Sequence, residues 1–369
     1  MDKDPFEEYL KAAEPNKRIK GYAWNTAIGL QAVDGLEPSE YLLHTACRNI
    51  EGEISFNDAH DLLQAYYENN PSQNPEDRTE EADKVSLRIA ETLADDAFTF
   101  SPNGYLYIHK KLFDGIYPHA GQYRNYNITK KEWILDGATV LYGNAPELRE
   151  ALAYDFAEEN SFSYSGLTVD EIVHHLAIFI SKLWQIHIFG EGNTRTTAVF
   201  LIKYLRKLGF KVTNDTFANN AWYFRNSLVR ANYSDLTRGI HETPYYLELF
   251  LRNLLLGENH PLRNRALHIS KMFSDKKADI RDTKPDIECT KPDIEYTKPD
   301  IESLFKPKTA KQIKKLYHAF SNQKVFGRSD VMNTIEVKSS RASDLLKELL
   351  SHELIEPVTG YGKGKYRFR

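Results

Sequence analysis

A chain of 369 residues, 41% hydrophobic and 12% aromatic, has the make-up of an ordinary soluble protein and is long enough for two or three domains and one large core. Its net charge of −4 points to no class of partner by itself. Two cysteines, Cys47 and Cys289, exclude a disulfide framework and suit a reducing, cytoplasmic setting. The start, Met-Asp-Lys-Asp-Pro-Phe-Glu-Glu, lacks the apolar stretch of a secretory signal. The run Phe250-Leu-Arg-Asn-Leu-Leu-Leu is too short and too charged to span a membrane.

Residues 1–99 read as helices with polar connections, and Asn69 to Arg78, with Pro71 and Pro75, reads as a loop. Residues 100–270 form a mainly helical body. Within it, Asp170 to Ile186 sets Ile172, Val173, Leu176, Ala177, Ile180, Leu183 and Trp184 on one wide apolar face, the spacing of a helix. His174 and His175 on that helix point about 100° apart, a poor geometry for a shared metal. Thr194 to Leu208 predicts a second helix that buries Ala198, Val199, Leu201, Ile202 and Leu205. Asn219-Asn-Ala-Trp-Tyr-Phe-Arg225 fits the lining of a pocket or a core helix with polar ends. Residues 271–302 carry a repeat of period seven, with Lys277, Lys284, Lys291 and Lys298 each opening a Lys-(Ala/Pro)-Asp-Ile unit. Its prolines forbid one continuous helix and its single Ile per unit builds no core. A semi-extended linker is expected, with short stacked turns as the alternative.

Between the two helices of the body stands His187-Ile-Phe-Gly-Glu-Gly-Asn-Thr-Arg-Thr-Thr197. His187 is the one side chain of this loop able to accept a proton near neutral pH. Gly190 and Gly192 flank Glu191, so the backbone there bends freely and approaches a ligand closely. The loop feeds a helix N-terminus, whose free N–H groups and dipole favour a phosphate. Arg195 in the first turn opposes that dipole, a conflict that a bound anion resolves. Glu191 is a hard oxygen ligand suited to sharing Mg²⁺ with substrate phosphates. The set fits a nucleotide phosphate held with a divalent metal beside an activated hydroxyl. No Gly-Lys-Ser/Thr loop and no Gly-x-Gly-x-x-Gly competes.

This stretch resembles the Fic family (filamentation induced by cAMP), whose motif runs His-x-Phe-x-(Asp/Glu)-Gly-Asn-Gly-Arg, then two variable residues and a second Arg. His187, Phe189, Glu191, Gly192, Asn193 and Arg195 match it; Thr194 stands for the usual Gly and Ala198 for the second Arg. Leu106 to Arg124 resembles the family's upstream helix and its Tyr-Pro-x-Ala-Gly-x-x-Arg turn. Asn125 to Tyr142 resembles its β-hairpin flap, which holds a target segment by strand addition. Leu228-Val-Arg-Ala-Asn232 resembles the helix whose Asn contacts adenine. The likeness covers residues 40 to 255.

The resemblance implies a mainly α fold, a Fic-like helical core with one β-hairpin flap. It implies a protein adenylyltransferase that moves AMP from ATP to a Tyr, Ser or Thr hydroxyl of a target protein, or of the chain itself. His187 would be the catalytic base and Glu191 the Mg²⁺ ligand. Gly190, Gly192, Asn193, Thr194 and Arg195 would hold the phosphates, Asn232 would contact adenine, and Phe189 would plug the loop into the core. Thr45 to Gly52 resembles the family's inhibitory helix, which makes Glu51 the autoinhibitory carboxylate. Since its usual arginine partner is Ala198 here, either Glu51 pairs with another donor, such as Arg195 or Asn193, or its inhibition is weak, and a homodimer would be able to bury or release it. The same missing arginine leaves open another nucleotide donor or the removal of AMP by hydrolysis.

Residues 303–369 carry 14 Lys and Arg against six acids, a net of +8 that leaves −12 on residues 1–302. A helix over 309–320, a short helix at Arg328–Ile335 and a helix from Ser339 to His352 are followed by Leu354-Ile-Glu-Pro-Val, a Gly-rich turn over 359–365 and Tyr366-Arg-Phe. This order resembles a small winged helix-turn-helix (α+β) domain, with Lys338, Ser339, Ser340 and Arg341 placed to meet phosphates. Such units dock on DNA or on protein, and the sequence leaves both open. A DNA-binding regulator whose body senses nucleotide is the rival to the enzyme reading, and intact His187 and Glu191 favour chemistry.

Overall fold

The structure, a computed structural model, describes residues 14–72, 74, 76–212, 215–270, 307–320, 325–335, 337–352, 354–358 and 365–368. The period-seven repeat, Cys289 and residues 359–364 of the Gly-rich turn lie outside them. The chain divides into two units, Met1–Pro292 and Asp293–Arg369, each with its own apolar core. Among the described residues no helix is long and apolar enough to cross a membrane.

In the first unit, α1 (Pro15–Gly29), α2 (Glu40–Glu51), α3 (Phe56–Asn69) and α4 (Thr79–Ala94) precede α5 (Pro102–Phe113), α6 (Leu148–Ser161), α7 (Val169–Ile186), α8 (Asn193–Lys207), α9 (Asp215–Ala231) and α10 (Tyr245–Leu256). The starts are set by side chains. Ser39 and Ser101 accept from the amides of Leu42 and Gly104, while Ser55–Asp58 and Thr168–Glu171 form capping boxes, satisfying donors that a helix start leaves open. Helix α1 packs on α4 and α9. A Cβ on Gly29 would lie 2.4 Å from the Ala218 carbonyl oxygen, so α1 and α9 meet backbone to backbone.

Helix α8 is buried on every side from Asn193 to Leu205, wider than the single face its apolar residues suggested. Its cations are accommodated by acceptors from the N-terminal helices: the Lys203 ammonium donates to the carbonyls of Thr92 and Asp95 at 2.8 and 2.6 Å, which also satisfies the end of α4.

The β-hairpin expected over Asn125 to Tyr142 is a loop without strands. The Glu132 amide donates to Ala138 O at 2.9 Å and the Gly137 amide to Glu132 O at 3.0 Å, around a 3-10 turn at Trp133–Leu135 and Asp136 in the left-handed region, φ 54°. Strand pairing stops where the Lys130 amide takes the Thr139 hydroxyl at 3.2 Å in place of a carbonyl, a side chain outcompeting the ladder.

The second unit runs α11 (Pro307–Phe320), β1 (Phe326–Gly327), α12 (Arg328–Ile335), α13 (Ser339–Ser351), β2 (Ile355–Pro357) and β3 (Lys365–Phe368). The sheet order is β1-β3-β2, antiparallel throughout. Ile313, Leu316, Phe326, Val331, Leu345, Leu349, Ile355 and Phe368 fill its core. Helices and strands follow the order expected, and the two-residue β1 is an addition too short to leave a pattern in sequence. Arg341, partly exposed, donates to Thr309 at 3.0 Å and to Gln312 and Glu348, each at 3.3 Å.

Candidate active site

Helix α7 ends at His187, which adopts φ 51°, ψ 56°. A non-glycine residue in this region is sparsely populated and marks a turn that its surroundings over-determine. Arg124 supplies the constraint. Its side chain donates to His187 O at 2.7 Å and Ile186 O at 3.3 Å, and to the carbonyls of Tyr126 and Gly143. Its own amide donates to Ile188 O at 2.8 Å. The carbonyls that a helix end leaves open thus converge on one guanidinium.

The His187 ring is buried, tilted against Tyr142 with centroids 4.4 Å apart and edge-on to Trp184 at 5.2 Å. Its Nδ1 lies 3.3 Å from Trp184 O. A carbonyl can only accept, so Nδ1 carries the proton and Nε2 the lone pair. That Nε2 is buried and has no hydrogen-bond partner. Burial, and after it the Lys130 charge, hold the imidazole well below its ordinary 6.5. His187 is therefore a neutral base with a fixed tautomer.

Above it, Glu132 is fully buried and paired with Arg225 of α9 at 2.7 and 3.0 Å, while the Tyr142 hydroxyl donates to the same carboxylate at 3.2 Å. This bidentate pair anchors the flap loop across the His187 ring. Of the 219–225 stretch, Arg225 alone reaches the site in this way; Tyr223 and Phe224 are buried as core.

The next residues are locked from both sides. Asn193 accepts from the Phe189 amide at 3.1 Å and donates to Phe189 O at 2.8 Å. His109 of α5 stacks on Phe189 at 3.6 Å. Its Nδ1 accepts from the Gly121 amide at 2.8 Å, which leaves the proton on Nε2, 2.9 Å from Glu191 O. Burial holds this imidazole down to about 3. A Cβ on Gly190 would lie 2.7 Å from the Tyr126 hydroxyl, and one on Gly192, at φ 74°, 2.5 Å from Phe113. Gly192 thus requires glycine, while a side chain at 190 would have to displace the tips of Tyr126 and His119. Gly192 caps α8 with no side-chain acceptor on the amides that follow, an open helix start. The Glu191 side chain is exposed, and among the described residues no three His, Cys, Asp or Glu groups cluster to hold a metal alone.

Other expected ligand contacts are directed elsewhere. The Thr194 hydroxyl accepts from Trp184 Nε1 at 3.1 Å. The Asn232 amide donates to Ser181 O and Leu228 O, each at 2.9 Å. Arg195 is fully buried, 2.9 Å from Glu81, 2.8 Å from Asp34, 3.0 Å from Gln31 and 3.2 Å from the Tyr117 hydroxyl, with its guanidinium 4.7 Å from the Phe113 ring. Glu51 is exposed and pairs with Lys17 at 2.9 Å. The pairing of Glu51 with Arg195 or Asn193 is not formed, because Glu81 and Asp34 take the guanidinium and Phe189 takes the amide. The two adjacent histidines diverge as expected, His174 to Glu248 and His175 to Glu159, both at 2.7 Å.

Residues 99–205 match the model of the Fic/DOC family. This segment is a Fic/DOC domain. Over 142 residues, 35% of this chain, the sequence is 30% identical to the protein adenylyltransferase VbhT of Bartonella schoenbuchensis; the match spans 28% of that relative's length. A Fic family protein from Desulfovibrio desulfuricans G20 superposes over 98% of this chain and 90% of its own, at 14% identity and a TM-score of 0.43.

The Fic/DOC domain depends on residues outside the matched segment: Gln31, Asp34 and Glu81 hold its Arg195, and Arg225 holds its flap. Sequence reasoning assigned no role to Arg124 or His109, although Arg124 closes the Tyr-Pro-x-Ala-Gly-x-x-Arg turn and His109 sits four residues before Phe113 on the helix leading into it. Arg124→Met keeps the length and removes every donor; a loss on the order of 3 kcal/mol is expected in urea unfolding, and an unchanged midpoint would refute the clamp. The folded His109 takes up a proton near pH 3 and the unfolded one near 6.5. Between these values the unfolded state binds more protons, so stability is full above pH 6.5 and falls as pH falls, by up to about 1.4 kcal/mol per pH unit. His109→Gln is expected to lessen the fall of the melting temperature between pH 6.5 and 4, the part due to the buried His187 remaining; an unaltered slope would count against this account.

Proposed function

We propose that the Fic/DOC domain transfers AMP from ATP to a Tyr, Ser or Thr hydroxyl of a target protein. The observation that carries this reading is the buried, unbonded Nε2 lone pair of His187, held by its tautomer in the loop that feeds an uncapped helix start. The name of the Bartonella relative, a protein adenylyltransferase, supports the same chemistry.

Nε2 takes the acceptor hydroxyl's proton while that oxygen attacks the α-phosphorus. The new P–O bond carries AMP, and the bond to pyrophosphate breaks with its electron pair leaving on the pyrophosphate. A positioned base contributes roughly 10²–10⁴-fold. The open amides and dipole of α8 take up the phosphate charge. Glu191, exposed and without companion ligands, would hold Mg²⁺ as one carboxylate among substrate phosphates; when bound, the ion offsets the charge of the phosphate tail. Because Nε2 has no solvent exposure, an acceptor reaches it only when the Tyr142 segment lifts. Ala198, buried in α8, offers no cation to the nucleotide's far end, which favours testing donors other than ATP in parallel.

The experiment incubates the whole protein with α-³²P-ATP and Mg²⁺, alone and with a cell lysate. Labelled protein is expected, with a loss of at least 100-fold in His187→Ala. With the base held neutral well below pH 6.5, the rate should stay level as pH falls from 7 to 6. Glu51→Gly is expected to leave labelling unchanged, since Glu51 faces Lys17; a rise would restore its inhibitory role. Absence of label with ATP and every other donor, together with DNA retention lost on deleting 303–369, would replace the enzyme reading with the nucleotide-sensing regulator.

A further inference from the structure

A cavity of about 470 Å³ opens between the end of α9, the turn at 238–241 and the segment 268–270. Its volume lies in the range of small-molecule sites, roughly 300–1,000 Å³. Arg230, Arg238, His241, His268 and Ser270 supply its polar lining, and no carboxylate lines it. Arg230 is only 9% exposed. Its Nη1 is buried with no hydrogen-bond partner, and its Nη2 reaches His241 O only at 3.5 Å.

The other enclosed arginines of this unit find acceptors: Arg124 donates to the carbonyls of Tyr126, Gly143, Ile186 and His187. Arg195 holds Asp34 and Glu81, and Arg225 holds Glu132. Arg230 forms no ion pair with a carboxylate among the described residues. Burial draws its ionisation down from the ordinary value, yet arginine stays charged. A desolvated cation with an open donor is costly unless an anion completes it. Arg238 at the rim shares Asp136 at 3.0 Å, with His268 3.6 Å from the same carboxylate, and the half-exposed Arg238 retains further donors for a ligand.

We propose that this cavity binds the phosphate group of a small phosphorylated molecule, with the Arg230 guanidinium as its fork. The site is separate from the 187–197 loop: Asn232 turns to Ser181 and Leu228 while Arg230 faces the cavity. It borders the flap, since the Ile269 amide donates to Ile134 O at 2.9 Å and Asp136 pairs with Arg238. The planar guanidinium suits two oxygens of one phosphate, and the remaining volume takes the body of the molecule.

Ribose 5-phosphate, inorganic phosphate and ribose serve as probes in thermal melts and calorimetric titrations of the whole protein. Ribose 5-phosphate is expected to raise the melting temperature and ribose to leave it unchanged; a shift as large with inorganic phosphate alone would assign the cavity to the free ion and overturn the proposal of an ester. The ester's shift is expected to persist in His187→Ala, vanish in Arg230→Met and require about tenfold more ligand in Arg238→Gln. Without ligand, Arg230→Met should melt at or above the parent temperature, because it removes an uncompensated charge. A lowered melting temperature, an equal ligand shift in Arg230→Met and Arg238→Gln, or no shift in the parent would each overturn the site.

Discussion

The candidate site depends on carbonyl oxygens gathered by Arg124. A helix that ends in a left-handed residue leaves its last carbonyls pointing away from the helix ladder. One guanidinium with several fixed donors collects those of Ile186 and His187 and adds those of Tyr126 and Gly143 from the flap loop. Helix end, base and flap are thereby set in one frame. Burial lowers the Arg124 ionisation, but the cation persists and keeps the charge-assisted bonds strong. The position of His187 thus depends on a residue 63 positions earlier.

A column of rings supports the loop from the other side. Phe189 stacks on His109 at 3.6 Å, His109 meets Phe113 at 4.7 Å, Phe113 meets Tyr117 at 5.1 Å, and Tyr117 lies parallel to His119 at 5.5 Å. Four of the five rings stand on α5 and the turn behind it, so a single helix sets the height of the loop. The Tyr117 hydroxyl then joins Arg195 and Glu81. Aromatic packing and the buried ion pairs are therefore parts of one support.

What the sequence discloses and what it withholds divide along a physical line. Helices α7 and α8 were legible to within one residue at either end because their spacing is local information, and the second unit's order was legible for the same reason. His187 stood out because it is the one side chain of the loop between those helices that accepts a proton near neutral pH, and the structure buries its ring at the end of α7. The destination of Arg195 was not legible: its carboxylates lie in other helices, and only packing reveals that it neutralises a core and does not face the loop's ligand side. Thr194 shows the same limit, since its hydroxyl answers the Trp184 indole across the turn. The flap read as a hairpin by resemblance, yet a threonine hydroxyl and an αL aspartate displace the ladder there. Glu51 fitted a motif in sequence, and its partner Lys17 is set by how α1 lies along α2.

The bonds that complete Arg195 cross 164 residues to Gln31 and 114 to Glu81. Contacts of this span must close long loops before they return any free energy. During synthesis the N-terminal helices are thus finished long before the cation they serve exists. The segment that defines the family begins after them, at residue 99. Excised from the chain, it would carry a guanidinium shaped for a dry environment and no acid to meet it, so the smallest cooperative folding unit of this protein is larger than its recognisable domain.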